Sequence, residues 1–360
     1  MSKKLTLSWF KGCIKYFDNA STTKVDERVL SEMLPYFTEF FGNASSNHLY
    51  GAKAKDAIEK ARTQVSNIIN CNEKEIIFTS GATESINLGI KGYLEANSDK
   101  GNHIITVKTE HKAVLATCEY LETKGYEVTY LDVDNNGLIS LEELRSCITD
   151  NTLLVCVMYV NNETGVIQPI EEIGQITREN KIAFLCDATQ AVGKIDVDVE
   201  RDNIDMLCFS AHKLKGPKGI GVLSKKASIK LTPLLHGGGQ EKGLRGGTYN
   251  TPLVVGLGKA CELALDEFKS NDTTLLKKKS ELKEYYEKNN IGVVNFQNVP
   301  TAPHIISITL NDIDAEEYLM LKSKEFVAST GSACNAAVIE ISHVLKAMGI
   351  TNNQTIRISI

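Results

Sequence analysis

The chain has 360 residues, which corresponds to roughly two domains and is enough to bury an apolar core without disulfides or a structural metal. Its 42% hydrophobic and 24% charged residues are ordinary for a folded protein and exclude a largely disordered chain. The formal net charge is −5 with the charges interspersed, so direct binding to nucleic acid or to a membrane surface is not expected. No apolar run approaches the ~20 residues of a membrane span, and we therefore expect a soluble protein.

The cysteines and the first residues predict where the protein works. The nine cysteines are scattered, and no two have the CxxC spacing of a local zinc or iron–sulfur site, so no metal site is expected. Unpaired thiols in an odd number are typical of a reducing compartment, which predicts the cytoplasm. The short apolar patch near the N-terminus lacks the length and the cleavage site of a signal peptide, and it is interpreted as an N-terminal extension or an edge element.

Helix-like and strand-like patterns alternate from about residue 50 to about residue 225. Apolar residues at helical spacing predict helices over 52–69, 83–95, 111–124 and 140–148. The strand-like runs lie at 75–80, 103–107, 126–131, 153–160, 182–187, 206–210 and 219–223. Several of these runs are apolar throughout, as expected for strands that helices cover on both faces. The alternation predicts an α/β fold with a large, mostly parallel sheet.

From about residue 252 the pattern changes. Two long helices are predicted over 252–270 and 273–289, followed by a strand at 306–310 and a helix at 314–323. A short strand–helix–strand segment ends the chain. We therefore expect a second, smaller α+β domain in this region.

A candidate phosphate site follows the strand predicted at 75–80. In open α/β sheets, ligands bind at the carboxyl ends of the strands. Residues 80–83, Ser-Gly-Ala-Thr, join this strand to a helix, and their backbone N–H groups at the positive helix end suit a phosphate. Taken alone, an ordinary helix cap with a glycine turn explains the segment better, and it does not match the P-loop pattern GxxxxGK[ST].

A lysine and an aspartate lie at the ends of two further strands. Lys213 follows the apolar strand 206–210, where an amine is costly unless it is paired or used covalently, as in an imine with a carbonyl cofactor. Asp187 ends the strand 182–187, where a carboxylate can keep the ring nitrogen of pyridoxal phosphate protonated. Singly, each has a simpler explanation, a surface loop lysine and a turn-capping aspartate. Together with the phosphate cradle, they favour a pyridoxal phosphate site.

Three other segments carry patterns that could be functional. Residues 132–143 fit the calcium-loop pattern, but the preceding segment alternates like a strand, so they are interpreted as a strand-to-helix turn. The glycine-rich residues 236–248 do not follow a strand in the dinucleotide-binding manner, and they indicate a loop that needs close backbone approach. Cys334 lies among small polar residues, which suits an exposed thiol better than a buried structural one.

Taken together, the sequence resembles the cysteine desulfurases of the nitrogen-fixation and iron–sulfur-assembly type, fold-type I pyridoxal phosphate enzymes of the class-V aminotransferase family. The similarity extends from Tyr16 to Ser359, through motifs that occur in the family's order: FTSGATES, TEHKAV, VNNETGVIQPI, DATQAVGK, SAHKLKGPKGIG, GGGQEKGLRGGT and STGSAC. Small departures from the family's usual residues occur at Ala44, Thr189 and Gly246. The resemblance implies a large cofactor-binding domain, 24–251, and a small domain, 1–23 plus 252–360, which carries the cysteine loop.

The resemblance also implies which residues hold the cofactor. Lys213 would bind it covalently, and Asp187 would pair with its ring nitrogen. His111 would stack on the ring and move protons, which suits an imidazole that titrates near neutral pH. The other contacts would come from Ala82, Thr83, Ser210 and His212 at the phosphate, from Asn162 and Gln190, and from Thr248 of the partner subunit.

The implied reaction converts L-cysteine to L-alanine. Arg357 would clamp the substrate carboxylate, with Asn162 beside it, and Cys334 would be the nucleophile that receives the sulfur as a persulfide. The sulfur would then pass to an acceptor protein for iron–sulfur clusters, tRNA thiolation or cofactors. The contact from Thr248 implies a homodimer. A selenocysteine lyase-like activity, a class-V aminotransferase and a non-catalytic adaptor with the same fold remain alternatives.

Overall fold

The structure, a computed structural model, describes residues 14–269, 273–330 and 341–360. Its strands are β1 (Lys15–Tyr16), β2 (Ile76–Thr79), β3 (His103–Val107), β4 (Glu127–Leu131), β5 (Thr152–Cys156), β6 (Ala183–Asp187), β7 (Met206–Ser210), β8 (Gly221–Lys225), β9 (Gly292–Val294), β10 (Ile305–Leu310), β11 (Phe326–Val327) and β12 (Thr355–Ser359). Its α-helices are α1 (Glu27–Met33), α2 (Pro35–Thr38), α3 (Leu49–Ile69), α4 (Ala82–Asn87), α5 (Tyr93–Ala96), α6 (Lys112–Glu122), α7 (Leu141–Cys147), α8 (Ile170–Glu179), α9 (Thr251–Lys269), α10 (Thr274–Lys288), α11 (Ala315–Lys322) and α12 (His343–Ala347).

The central sheet has seven strands in the order β2-β8-β7-β6-β5-β3-β4. The five strands β4, β3, β5, β6 and β7, in their order across the sheet, pair with one another in parallel. Strand β8 is antiparallel to both of its neighbours, β7 and β2. Every residue of β3, β5, β6 and β7 is buried, with an apolar cluster on each face of the sheet, which explains their continuous apolar sequences. The predicted α/β fold with a large, mostly parallel sheet is confirmed.

The helices differ from the sequence-based expectation in their ends, and three of them, α1, α2 and α8, were not predicted from the periodicity. Helix α6 begins one residue later than expected because His111 caps it, its Nδ1 accepting a hydrogen bond from the backbone N–H of Ala113 at 3.1 Å. Helix α1, capped by Asp26, was not predicted, and neither was α8, which buries Ile170, Ile173 and Ile176 at helical spacing. Within the described ranges, no helix is both long enough and apolar enough to cross a membrane.

The segment that matches the calcium-loop pattern is a turn between β4 and α7, as interpreted from the sequence. Oδ1 of Asp134 accepts hydrogen bonds from the backbone N–H groups of Asn136 and Leu138, both at 2.9 Å, so the carboxylate stabilises the turn itself. In the described parts of the chain, no cluster of His, Cys, Asp and Glu side chains could hold a metal ion.

A smaller, separate core lies outside the central sheet. Strands β9, β10 and β12 form an antiparallel sheet with β10 in the middle, and β1 pairs with β11 in parallel. With α10 and α11 they enclose Phe17, Tyr286 and Phe326. Helix α9 instead packs along α3 and α1, and its Val254 and Leu257 belong to the core of the central sheet. This packing favours a domain boundary at the end of α9. The boundary predicted from the sequence, between residues 251 and 252 near the start of α9, stays a prediction.

A buried ion pair ties the glycine-rich loop to the edge of the central sheet. Arg62 on α3 donates to both carboxylate oxygens of Glu241, Nη2 to Oε1 at 2.9 Å and Nη1 to Oε2 at 3.1 Å. Oε2 of Glu241 also accepts from the backbone N–H of Phe78 in β2 at 3.1 Å. The two charged side chains are only 10% and 2% exposed, so water cannot replace either partner. The pair thereby holds Glu241 in a left-handed backbone conformation, φ +48°.

Replacing Glu241 by alanine should lower the free energy of unfolding by about 3 kcal/mol, because the change leaves the buried Arg62 charge with only the half-exposed Glu59 as an ion-pair partner. Urea denaturation followed by circular dichroism measures the loss. Glu27→Ala is the matched control, since it removes an ion pair with Lys24 whose side chains are 86% and 88% exposed, and it should cost less than about 1 kcal/mol. Equal effects of the two changes would contradict the structural role of the buried pair.

Candidate active site

A cavity of about 1000 Å³ opens at the carboxyl ends of β6 and β7, beside the first turn of α4. This is the edge at which open α/β sheets bind their ligands, and the volume suits a small organic cofactor together with an amino acid. Ten of the residues that the sequence predicts for the site line it: Ala82, Thr83, His111, Asn162, Asp187, Gln190, Ser210, His212, Lys213 and Arg357. The fold therefore brings together residues from both halves of the chain.

Lys213 presents its amine to this cavity. It ends a single helical turn that directly follows β7, so its position is set by the strand. Its Nζ donates hydrogen bonds to the backbone carbonyls of Ala20 at 2.5 Å and Ser21 at 2.7 Å. The N-terminal segment thus holds the lysine side chain at the cavity wall.

Asp187 and His111 lie in the same cavity. Asp187 is 6% exposed, and its Oδ1 accepts a hydrogen bond from the backbone N–H of Thr189 at 2.9 Å. Because Nδ1 of His111 is used as the cap of α6, Nε2 is the ring nitrogen that remains for a ligand. Burial lowers the pKa of His111; the nearby Asp187 opposes this effect and the charge of Lys213 adds to it, with a net lowering that keeps the imidazole neutral near pH 7. A neutral imidazole can take up or deliver a proton.

An open space lies beside the first turn of α4. A Cβ atom on Gly81 would meet nothing nearer than Oγ of Ser210, at 3.9 Å. On the other side, a Cβ on Gly221 of β8 would lie 2.6 Å from Cα of Gly81, so only glycine permits this close approach. The first N–H groups of a helix have no partner within the helix and attract anions. The space therefore fits a phosphate group.

His212 borders the same space as a neutral group. Its pKa is lowered to about 4, mainly by burial and further by the charges of Lys213 and Lys218. Its Nδ1 lies 3.1 Å from Oγ1 of Thr22. At neutral pH, His212 can therefore interact with an anion through a hydrogen bond, without a charge of its own.

Arg357 reaches the cavity from β12 and is held by three partners. Nη1 donates to the backbone carbonyl of Asn162 at 2.9 Å, and Nη2 donates to Oδ1 of Asp18 and to Oγ of Ser21, both at 2.8 Å. The side chain is 4% exposed. Nε has no hydrogen-bond partner among the described residues. The guanidinium is thus fixed in position while part of its donor capacity is unused, as a carboxylate clamp requires.

Three residues that line the cavity have buried polar atoms without a hydrogen-bond partner in the described part of the chain: Oγ1 of Thr189, Oε2 of Glu163 and Nε of Arg357. Most buried polar groups in native proteins are paired, so these atoms indicate a cavity shaped for a polar ligand. An amine, a buried carboxylate and an open helix N-terminus are what an anionic aldehyde such as pyridoxal phosphate needs. The residues present therefore fit this cofactor.

Two predicted site residues are not part of this arrangement. Thr248 is exposed, in the loop that the Arg62–Glu241 pair holds, and it does not line the cavity of its own chain. Its predicted contact across a dimer stays a prediction. Cys334 belongs to residues 331–340, which lie outside the described residues.

The sequence analysis missed several residues that shape the site. Asp18 and Ser21 hold the Arg357 guanidinium, and Ala20 and Ser21 hold the Lys213 amine through their backbone carbonyls. These residues lie at the start of the family similarity, which begins at Tyr16, but no role was inferred for them from the sequence. Contacts made by backbone carbonyls leave no signal in side-chain type, so only the structure could assign them.

Glu163 is a further missed residue at the edge of the cavity. Its backbone N–H donates to Oδ1 of Asn161 at 2.9 Å in the turn that follows β5, and the residue is 7% exposed. Burial raises its pKa to about 7, and the nearby Ser342, Arg357 and Lys112 offset only part of this effect. Near neutral pH, this carboxyl is therefore divided between its protonated and ionised forms.

Comparisons with known proteins identify the family and the fold of the chain. The model of the aminotransferase class-V family matches residues 15–360. The chain is 49% identical to cysteine desulfurase IscS of Neisseria gonorrhoeae, over 93% of this chain and 83% of that protein. It is 45% identical to the mitosomal cysteine desulfurase of Encephalitozoon cuniculi, over 93% of this chain and 78% of that protein. A solved NifS-like protein superposes with a TM-score of 0.89 at 38% identity, covering 96% of this chain and 93% of that one. The structure of SspA in complex with cysteine superposes with a TM-score of 0.85 at 39% identity, covering 96% of this chain and 98% of that one.

Glu163→Gln should make the protein more stable relative to the wild type as the pH rises from about 4.5 to about 7. In this interval the carboxyl ionises in the unfolded chain but not in the folded one, so the wild type loses stability that the variant keeps, about 3 kcal/mol in all. Urea denaturation at a series of pH values measures the difference. Glu142→Gln, at an exposed carboxyl, gives the baseline. A difference for Glu163→Gln that stays constant over this interval would contradict the burial of an ionisable group here.

Proposed function

The chain belongs to the aminotransferase class-V family, whose members use pyridoxal phosphate, and we propose that it is a cysteine desulfurase that converts L-cysteine to L-alanine. The observation that carries the proposal is the meeting of Lys213, Asp187 and Arg357 in one cavity. These residues supply a covalent attachment point, a partner for the ring nitrogen and a clamp for the substrate carboxylate. An aminotransferase needs the same three groups, so the sulfur chemistry depends on a cysteine nucleophile in addition.

When bound, pyridoxal phosphate supplies an electron sink that lets the Cα–H bond of an attached amino acid ionise. Lys213 would be the attachment point, and its Nζ would move the proton at the substrate Cα. The carboxylate of Asp187 keeps the proton on the ring nitrogen, which the low exposure of this side chain favours. His111 is neutral near pH 7, and its Nε2 moves the proton that must reach the substrate amine or thiol.

The substrate is bound through its carboxylate. Arg357 provides a fixed, buried guanidinium, because Asp18 and Ser21 hold Nη2 and the backbone of Asn162 holds Nη1. The substrate carboxylate accepts hydrogen bonds from the guanidinium N–H groups of Arg357 that these partners do not use. Asn162, which lines the cavity, adds a hydrogen bond from its side chain. An amino acid held in this way keeps its Cα near Lys213.

Cys334 is the nucleophile in this proposal. Its thiolate attacks the sulfur of the substrate, the C–S bond breaks, and the products are alanine and a persulfide on the protein. Seven of the nine cysteines lie in the described residues, and five of these are buried. Burial raises the pKa of Cys71 and of Cys118 to about 12, so both are protonated and unreactive at neutral pH. Inert thiols elsewhere support a dedicated reactive cysteine.

The protein acts as a homodimer in this proposal, with Thr248 contacting the cofactor of the partner subunit. The segment between α1 and the start of α3 exposes several large apolar side chains, which are Leu34, Phe37, Phe41, Leu49 and Tyr50. The rings of Phe41 and Tyr50 lie 5.6 Å apart, so at least these two form a continuous apolar surface. Exposed apolar groups of this size are typical of a surface that another chain covers.

The persulfide sulfur passes to a thiol of an acceptor protein by exchange, and the reaction takes place in the cytoplasm. Support comes from the cysteines, none of which forms a disulfide in the described residues, as expected in a reducing compartment. The acceptor protein then uses the sulfur to build iron–sulfur clusters, thiolated tRNA or cofactors.

With pyridoxal phosphate and L-cysteine, the wild type should release alanine and gain one sulfur atom on Cys334, as measured by amino-acid analysis and peptide mass spectrometry. Lys213→Ala should release no alanine, since it lacks the attachment point. Cys334→Ala should bind cofactor and substrate, as seen in the visible spectrum, but form no protein persulfide. Cys261→Ala, at a buried thiol, is the matched control and should behave as the wild type. Persulfide formation by Cys334→Ala at the wild-type level would assign the nucleophile to another cysteine.

Phe41→Glu should weaken the dimer at least ~10-fold, because it places a charge on the apolar surface that the proposed dimer buries. Sedimentation velocity over a dilution series measures the change. Met320→Glu, at a side chain that is 71% exposed on α11, is the control and should leave the dimer intact. A wild type that sediments as a monomer at micromolar concentration would contradict the dimer.

A further inference from the structure

A buried histidine outside every motif of the sequence contacts the active site. His304, immediately before β10, is 2% exposed, and its Nε2 lies 3.3 Å from Oε1 of Gln190, which lines the cavity. Nε2 of Gln190 donates to the backbone carbonyl of Ala20 at 2.9 Å. The same carbonyl accepts from Nζ of Lys213 at 2.5 Å. A continuous chain of hydrogen bonds therefore joins His304 to the lysine amine.

These contacts determine the orientation of the Gln190 amide. The backbone carbonyl of Ala20 can only accept a hydrogen bond, so the amide atom that faces it must be nitrogen. The amide atom that faces His304 is then the oxygen, which also can only accept. Nε2 of His304 must therefore carry a hydrogen and donate it.

The remaining nitrogen of His304 is consistent with this tautomer. Nδ1 is buried and has no hydrogen-bond partner in the described residues. A neutral ring protonated at Nε2 leaves only an unpaired acceptor at Nδ1, which is less costly than an unpaired N–H group. Burial lowers the pKa of His304 well below its usual value, and the charges of Lys194 and Lys279 act in the same direction. The ring is therefore neutral near pH 7.

We infer that His304 is a positioning residue that fixes the Gln190 amide so that its second Nε2 hydrogen points into the cavity as a donor. The amide nitrogen has two hydrogens, and the carbonyl of Ala20 uses only one of them. The atom recognised there is an ionised oxygen, such as the ring hydroxylate of pyridoxal phosphate, and the inference rests on the proposed function in this respect. Without a donor at residue 304, no described residue binds Oε1, and the amide, held only at Nε2 by the carbonyl of Ala20, can rotate about that contact so that its second N–H group no longer points at the ligand.

The presence of this donor is measurable in the bound cofactor. A hydrogen bond to the ring oxygen favours the form in which this oxygen carries full negative charge and the nitrogen linked to Lys213 is unprotonated. Loss of the donor should therefore raise the midpoint of the visible pH titration of the bound cofactor by about one pH unit. The other ionisable groups that line the cavity are unchanged in the variants below; they are Glu84, Lys112, His111, Glu119, Glu163, Asp187, His212, Lys213, Lys218, His343, Lys346 and Arg357.

The test uses the full-length protein loaded with pyridoxal phosphate, without substrate. His304→Met removes the donor and fills the space, whereas His304→Gln retains an N–H group at the position of Nε2. His103→Met is the matched control, since His103 is also buried, 6% exposed, and both its ring nitrogens contact threonine hydroxyls away from the cavity. The midpoint should rise in His304→Met and stay at the wild-type value in His304→Gln and His103→Met. A midpoint that is unchanged in His304→Met, or that rises equally in His304→Gln, would overturn the inference.

A second measurement needs neither the variants to fold nor the cofactor to bind. In wild-type protein with ¹⁵N-labelled histidine, nitrogen chemical shifts identify the tautomer of each of the seven histidines. His304 should be neutral and protonated at Nε2; protonation at Nδ1 would overturn the inference. Failure of the wild type to take up pyridoxal phosphate would contradict the proposed function, while the tautomer would still decide the role of His304.

Discussion

The site depends on one constraint, the parallel pairing of β3, β5, β6 and β7, which brings their carboxyl ends to a single edge of the sheet. Asp187 is the last residue of β6, and Lys213 follows β7 by one short helical turn, so the register of two neighbouring strands sets the position of the carboxylate relative to the amine. Complete burial of these strands makes this register costly to change. The chemistry is thus positioned by fully buried strands at the centre of the sheet, while loops supply walls of the cavity.

The N-terminal segment connects this edge to the smaller core. Its Ala20 and Ser21 carbonyls hold Lys213, and its Asp18 holds Arg357, which belongs to the smaller sheet. Oγ of Ser359 accepts from the backbone N–H of Ala20 at 2.8 Å, so the end of β12 is tied to the same short segment. The groups proposed for the cofactor and for the substrate carboxylate therefore share one support. His304, just before β10, reaches the same support through Gln190, which couples the smaller sheet to the orientation of an amide in the cavity.

The sequence was sufficient to predict the parallel sheet, because β3, β5, β6 and β7 are continuous apolar runs separated by helical patterns. It also predicted that Asp187 and Lys213 lie at strand ends, and the resemblance added residues from distant segments, such as His111 and Arg357, that line the same cavity. Contacts that involve the backbone could not be predicted, since the carbonyl of Ala20 carries no sequence signal. The same holds for His304, an isolated histidine whose role depends on a neighbour more than a hundred residues away. The short helix α1 lacked enough turns to show a period.

The central claim is that the fold selects Lys213, among the lysines near the cavity, as the attachment point of the cofactor. Borohydride reduction of the protein loaded with pyridoxal phosphate makes this linkage permanent, and peptide mass spectrometry then identifies the modified lysine. The account predicts one cofactor per chain, on Lys213 alone. Attachment to Lys215 or Lys218 of the same loop, or an unmodified Lys213 in protein that has bound the cofactor, would contradict it.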